Sequence, residues 1–294
     1  MQYDITLRIT YTYERPAADT RMLLRMAPRM LPDQRPISGI VTVDPIPDFR
    51  RDGLDFFGNS TTEIAIDAPI IKIGFTYRGR VERNPGSGGL DLSCPLWALR
   101  REIEACHGLG PETPHHFLGP SDRIRHEPEI RTFAEEIALP DMSTLSVVEA
   151  ICAALHQSFA FDPSATEVTT EPIEAFRNRR GVCQDMSHVM ITALREVGIP
   201  AGYVSGFLRT SPPPGQARLE GADAMHAWVR AWCGQELGWV EIDPTNNIRA
   251  GTDHVVVAYG RDYADVSPVR GSMRSSGSQT TTHQVDVAPL EMTG

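Results

Sequence analysis

The chain has 294 residues, 41% hydrophobic and 22% charged, with a formal net charge of −10 and a pI near 5.4. That acidity excludes nucleic acid and an anionic membrane surface as partners, because each demands a basic face. No apolar run is long enough for a spanning helix and the opening residues lack a secretory pattern, so neither a membrane span nor an export signal is expected. The five cysteines (94, 106, 152, 183 and 233) are odd in number, widely spaced and lack a C-x-x-C pair. They predict a reducing, cytoplasmic setting, not a disulfide framework.

The chain opens with "MQYDITLRITYTYERP", in which odd positions from Tyr3 to Tyr13 are apolar and even ones polar. That alternation predicts a strand with one buried face, ended by Pro16. "SGIVTVDP", "TTEIAIDAP" and "IIKIGFTYRGRVER" continue the pattern, so residues 1–85 are expected to form an antiparallel β-sandwich. "NPGSGG" at 84–89 is a composition break that suits a linker.

From residue 90 to 294 the periodicity predicts a second, α+β domain. Residues 95–106 and 127–139 look helical, and Leu145, Val148, Ile151, Cys152, Leu155 and Phe159 trace a third helical face. "RTSPPPGQ" (209–216) is a loop, since three prolines cannot occupy an inner strand. The polar tail 272–284 is expected to be mobile, with "VDVAPL" able to add a late strand.

The stretch "RRGVCQDMSHVM" (179–190) carries the chemistry. Met186, Val189, Met190, Ala193, Leu194 and Val197 recur at helical spacing, and Gly198 and Pro200 end the run. Cys183 therefore sits in a helix's first turn, where free N–H groups and the dipole favour thiolate. The dipole is worth only about 0.3–1 kcal/mol, so a nucleophile here needs a base. Asp185 works against the thiolate and Arg179 and Arg180 offset it. The plainer reading, a small core cysteine, stands beside this one.

Downstream, "DAMHAWVRAWCGQELGWVEIDPTNN" predicts a hairpin. His226, Trp228 and Arg230 share one face of its first strand; Trp239, Glu241 and Asp243 share the matching face of its second. A two-residue turn at Gly234-Gln235 sets Asp243 directly across from His226, and a loop two residues longer sets it across from Trp228. Either register leaves imidazole and carboxylate on one side, within diagonal reach. An imidazole that takes a thiol proton at one nitrogen needs the other held, and a carboxylate does this. Asn246 or Asn247 is an alternative orienting group. His188 lies about 140° around the helix from Cys183, and Cys233 lies on the opposite strand face from His226. A zinc site built from these four is therefore not expected, and no acidic cluster has calcium-loop spacing.

In order, "RRGVCQDMSHVMITALREVGIPAGYVSGF", "MHAWVRAW" and "GWVEIDPTNN" resemble the transglutaminase-like superfamily of papain-like cysteine enzymes. The opening strand, "FDPSATEV" and "DHVVVAYGRDYADVSPVRG" extend the resemblance to bacterial members with a dedicated N-terminal β domain. It implies a transglutaminase-like catalytic domain over 90–294, with Cys183 as nucleophile, His226 as base and Asp243 as orienting acid. It implies thioester chemistry on an amide, with a peptide or protein the expected substrate; no metal or cofactor is expected, since no acidic cluster has calcium-loop spacing. Phe161 and Met225 depart from the usual tyrosine and small polar residue, which touches the pocket's polarity and not the triad. Trp228 and Trp239 are expected to shape the cleft, and "GRDYADVSP" (260–268) to buttress it. Hydrolysis is the first reading, because water is always available; transamidation and a non-catalytic scaffold are the alternatives. No assembly state follows.

Overall fold

The computed structural model describes residues 1–86, 89–209 and 223–290. The loop expected at 209–216 lies, Arg209 apart, outside the described residues. The first part is antiparallel throughout: β1 (Gln2–Leu24), β2 (Gln34–Asp44), β3 (Phe49–Leu54), β4 (Ser60–Ile66) and β5 (Ile70–Arg83). The expected sandwich takes the form of one curled seven-stranded sheet, ordered β2-β5-β1-β4-β3. Long β1 serves both halves of the curl, pairing with β5 up to Ala17 and with β4 from Thr20. Pro16 does not end it. The proline falls where pairing with β5 breaks register, between Thr12 and Ala17, so its missing N–H costs no ladder bond.

The remaining elements are α1 (Leu96–Glu104), α2 (Pro128–Ile137), α3 (Thr144–Ser158), β6 (Ala160–Phe161), α4 (Pro172–Asn178), β7 (Arg180–Gly181) and α5 (Cys183–Glu196). They are followed by β8 (Ala201–Leu208), β9 (Ala224–Trp232), β10 (Trp239–Asp243), β11 (Ile248–Arg249), β12 (His254–Gly260), α6 (Tyr263–Val266), β13 (Val269–Arg274) and β14 (Gln279–Leu290). A five-stranded antiparallel sheet runs β11-β10-β9-β8-β12. Helix α5 lies on β9, with α2, α3 and α4 packed around it. It is buried on every side from Asp185 to Arg195, so the helix meets solvent only at its ends, Cys183 among them.

The tail is built into the sheet. β13 and β14 pair with β1, the latter over Gln2–Leu290 to Tyr13–Gln279. Backbone pairing needs no apolar side chain, which is why the polar composition misleads. Strands drawn from residues 269–290, expected in the second domain, thus complete the N-terminal sheet.

β12 is an edge strand, and the N-terminal part covers its open side with side chains. Gln34 exchanges two 2.8 Å bonds with the backbone of Val256. Asn59 exchanges two with Tyr259, also 2.8 Å, and Arg83 Nε donates to the His254 carbonyl at 3.0 Å. The polar groups of an uncovered edge are thereby satisfied, and the two parts of the chain are joined at the strand that carries His254.

Candidate active site

Cys183 is the first residue of α5 and is partly exposed. The turn before it is fixed by Asp185, whose Oδ2 accepts from the Val182 N–H at 2.8 Å and the Thr166 hydroxyl at 2.6 Å. Asp185 is thus an N-terminal cap, and burial pushes its pKa up. Its charge is turned back toward residue 182 rather than set against the thiol. The expected offset by arginines is not found: Arg179 lies over the Phe176 ring at 3.9 Å, and Arg180 is exposed, 4.0 Å from Asp162. Gly181 makes room for the cap, since a Cβ there would lie 2.6 Å from Asp185 Oδ2.

The hairpin takes the longer register. Trp232 pairs with Trp239 and Val229 with Ile242, which places Asp243 opposite Trp228 and diagonal to His226. The two-residue turn is overturned because Gly234 and Gly238, at φ 105° and 72°, allow a wider loop. That loop is closed by Cys233 N–H to Gly238 O at 2.8 Å and tied to α1 through Gln235 N–H to Glu102 at 2.7 Å.

Diagonal placement still joins the two groups: His226 Nε2 lies 2.7 Å from Asp243 Oδ2. The Cys183 sulfur is the other group that acts on this imidazole. Burial would lower its pKa, but Asp243 and Cys183 outweigh that and raise it to about 10. Asp243 is fully buried. Burial would raise its pKa, yet hydrogen bonds from His226 and His254 hold it far below the carboxylate range. Oδ2 also accepts from Asn246 Nδ2 at 2.7 Å, and Oδ1 from the N–H groups of Thr245 (2.9 Å) and Asn246 (3.3 Å). Asn246 therefore holds the carboxylate instead of replacing it. Asn247, exposed at φ 51°, takes no part in these bonds.

The Trp228 indole, wholly buried, lies over the His226 ring at 6.0 Å and 30°. Gly206, paired with His226, leaves it space: a Cβ there would lie 2.4 Å from the indole. Trp239 instead packs on Phe117 and on Arg230, so only one of the two indoles lies against the imidazole. The 260–268 segment buttresses α5: Tyr263 N–H donates to His188 Nε2 at 3.2 Å, Arg261 pairs with Asp265 at 2.8 Å, and Asp262 Oδ2 accepts from the Arg123 N–H at 2.7 Å. His188 and Cys233 are buried and stand outside the Cys183–His226–Asp243 contacts.

Two partners escaped the sequence reading. His254 Nε2 lies 3.2 Å from Asp243 Oδ2, and no spacing rule links those positions. Glu241 accepts from the Trp228 indole at 2.7 Å and from the Tyr259 hydroxyl; the shared face was readable, the bonds were not. The ligand-type atoms of His226, Asp243 and His254 fall within 4.8 Å of one another. They already satisfy each other, and a cation would have to displace both imidazole protons.

Residues 131–244 match the transglutaminase-like superfamily, and residues 3–82 match the bacterial transglutaminase-like N-terminal region. The chain belongs to this superfamily. An uncharacterized protein of Mycobacterium tuberculosis is 31% identical over 297 residues, covering 99% of this chain and 93% of the relative. One of Mycobacterium leprae is 28% identical over 282 residues, covering 95% and 96%. The crystal structure of "a Putative Cysteine Protease from Cytophaga hutchinsonii" shares the fold, at TM-score 0.73 and 20% identity over 99% of this chain and 91% of that one.

Proposed function

We propose that the protein is a cysteine-dependent hydrolase of peptide or protein amides, with Cys183 as nucleophile, His226 as acid and base, and Asp243 as orienting acid. The observation that carries this reading is His226 bonded to the Asp243 carboxylate at 2.7 Å, with the Cys183 sulfur near enough to help raise the imidazole's pKa. In the working pair His226 takes the thiol proton, and the sulfur reacts as thiolate beside imidazolium, as in other Cys–His pairs. The thiolate attacks the amide carbon, and the resulting oxyanion meets the free backbone N–H groups of the first α5 turn, that of Cys183 included. His226 passes its proton to the departing amine, leaving a thioester. It then takes a proton from water, which attacks the thioester and releases acid and thiolate. Superfamily membership supports the chemistry, and all five cysteines being free suits a reducing compartment.

Profiling against peptide libraries, with Cys183→Ala as control, tests the reading. Cys183-dependent cleavage is the expected result. Amine incorporation without release of acid would replace hydrolysis by transamidation, and no turnover of either kind, with Cys183 alkylated no faster than Cys106, would leave a non-catalytic scaffold.

A further inference from the structure

The Asp243 carboxylate is served by two imidazoles, and the second has no role in the scheme above. His254 is 1% exposed, and its carbonyl is held by Arg83 from β5 at 3.0 Å. Its ring stands edge-on to Trp228, 5.1 Å between centroids. The Gly251 N–H, 3.3 Å away, points at Nδ1. A backbone N–H can only donate, so Nδ1 must accept and the ring proton sits on Nε2. Nε2 lies 3.2 Å from Asp243 Oδ2, the same oxygen that faces His226.

We infer that His254 is a positioning residue of this site: its neutral imidazole donates through Nε2 to Oδ2 of Asp243 and so limits how tightly that carboxylate holds the proton on His226. The inference rests on the proposed Cys183–His226 pair. Each donor on Oδ2 draws charge from it and weakens its hold on the others. Without such tempering, a buried carboxylate locks the imidazolium in place, which serves the thiolate but slows proton delivery to the leaving amine.

Among the described residues, other ionisable groups face this array, including Tyr203 near Cys183 and Glu241 on the Trp228 indole. Cys183 comes from α5, and α3 supplies Cys152, whose thiol bonds the Asp243 carbonyl at 3.7 Å, and His156 on the Thr245 carbonyl. Arg83 comes from β5, and Arg209 pairs with Asp253 beside His254. Burial pushes Cys152 up to about 12, so it stays neutral where the array titrates.

The pH profile of Cys183 alkylation by iodoacetamide reads the array without a substrate. Two steps are expected in the wild type, thiolate formation and, at higher pH, loss of the His226 proton. His254→Phe should move the upper step up by about 0.5–1 pH unit. His254→Gln, which can keep an N–H near the position of Nε2, should leave it close to wild type. A two-step wild-type profile with an unmoved upper step in His254→Phe overturns the inference alone. A wild type with the single step of an ordinary thiol removes the ion pair, and the inference with it. Should His254→Phe fail to fold, imidazole ¹⁵N shifts of the wild type decide: a neutral ring protonated at Nε2 across the upper step is expected, and a proton on Nδ1 overturns the inference.

Discussion

Glu241 and Asp243 lie two residues apart on one face of β10, and each carboxylate accepts from a buried ring on β9. Asp243 accepts from an imidazole that titrates and lies under the influence of a thiol. Glu241 accepts from the Trp228 indole and the Tyr259 hydroxyl, groups that keep their protons. Around Glu241 the neighbours are stacked cations: Arg230 lies 4.0 Å from the Trp239 ring and 4.2 Å from Tyr259, and Arg29 lies 4.5 Å from Tyr259. Equal placement on a strand thus yields two different devices. What separates them is whether the donor opposite can give its proton away.

The comparison can be broken by substitution. Cys183→Ala sets the floor: turnover should vanish while stability stays within about 1 kcal/mol of wild type, and residual Cys-independent cleavage would shift the chemistry elsewhere. Asp243→Asn should lower kcat by about 10³–10⁴, as removal of the orienting carboxylate does in serine triads. A wild-type kcat there would make some other group the orienter. Glu241→Leu should instead cost about 2–3 kcal/mol in urea unfolding, because it strands the buried indole N–H and hydroxyl, while kcat falls less than tenfold. If its rate collapses while the fold survives, the division between the two carboxylates fails.

Stability against pH sharpens the same contrast. His226 is raised to about 10 from an unfolded value near 6.5. Its contribution is fully present below about pH 6.5 and is lost as pH climbs toward 10. Asp243 is depressed, so its contribution is present above the unfolded carboxylate value of about 4 and drains away as pH falls through the folded one. Thermal unfolding across pH 7–10 should show a declining wild-type curve, a flatter one in Asp243→Asn, and the wild-type slope in Glu241→Gln. Equal slopes in all three would detach the His226 shift from Asp243.

The smallest expected effect is that of Gly181→Ala. A methyl crowds the Asp185 cap, so the pH of half-maximal Cys183 alkylation should move by a few tenths of a unit. No movement would show that the cap leaves the thiol's environment alone.

Much of the site was legible because local periodicity dictates it. The 3.6-residue spacing after Cys183 marks a helix start, and alternation around His226 and Asp243 assigns both to one face whatever the register. The register was not legible: two glycines in the Gly234–Gly238 stretch permit several loops, and contact with Glu102 on α1 selects one. His254 could not be read, since its distance from Asp243 is set by β12 lying beside β8 and not by sequence spacing. Asp185 and the two arginines were misjudged in orientation, which a capping bond and a stacked ring decide. The N-terminal alternation gave the strands, but their curling depends on the irregular stretch of β1 that changes partners.

The pairing of β14 along β1 has a consequence for biosynthesis. Strand β1 is made long before β14, so one of its long edges stays unpartnered until residues 279–290 emerge. A nascent chain therefore cannot close this sheet, and the strand that carries His254 rests on it through Arg83, Gln34 and Asn59. The surroundings of the thiol are therefore completed only after residue 290 has been made, about a hundred residues after Cys183 itself.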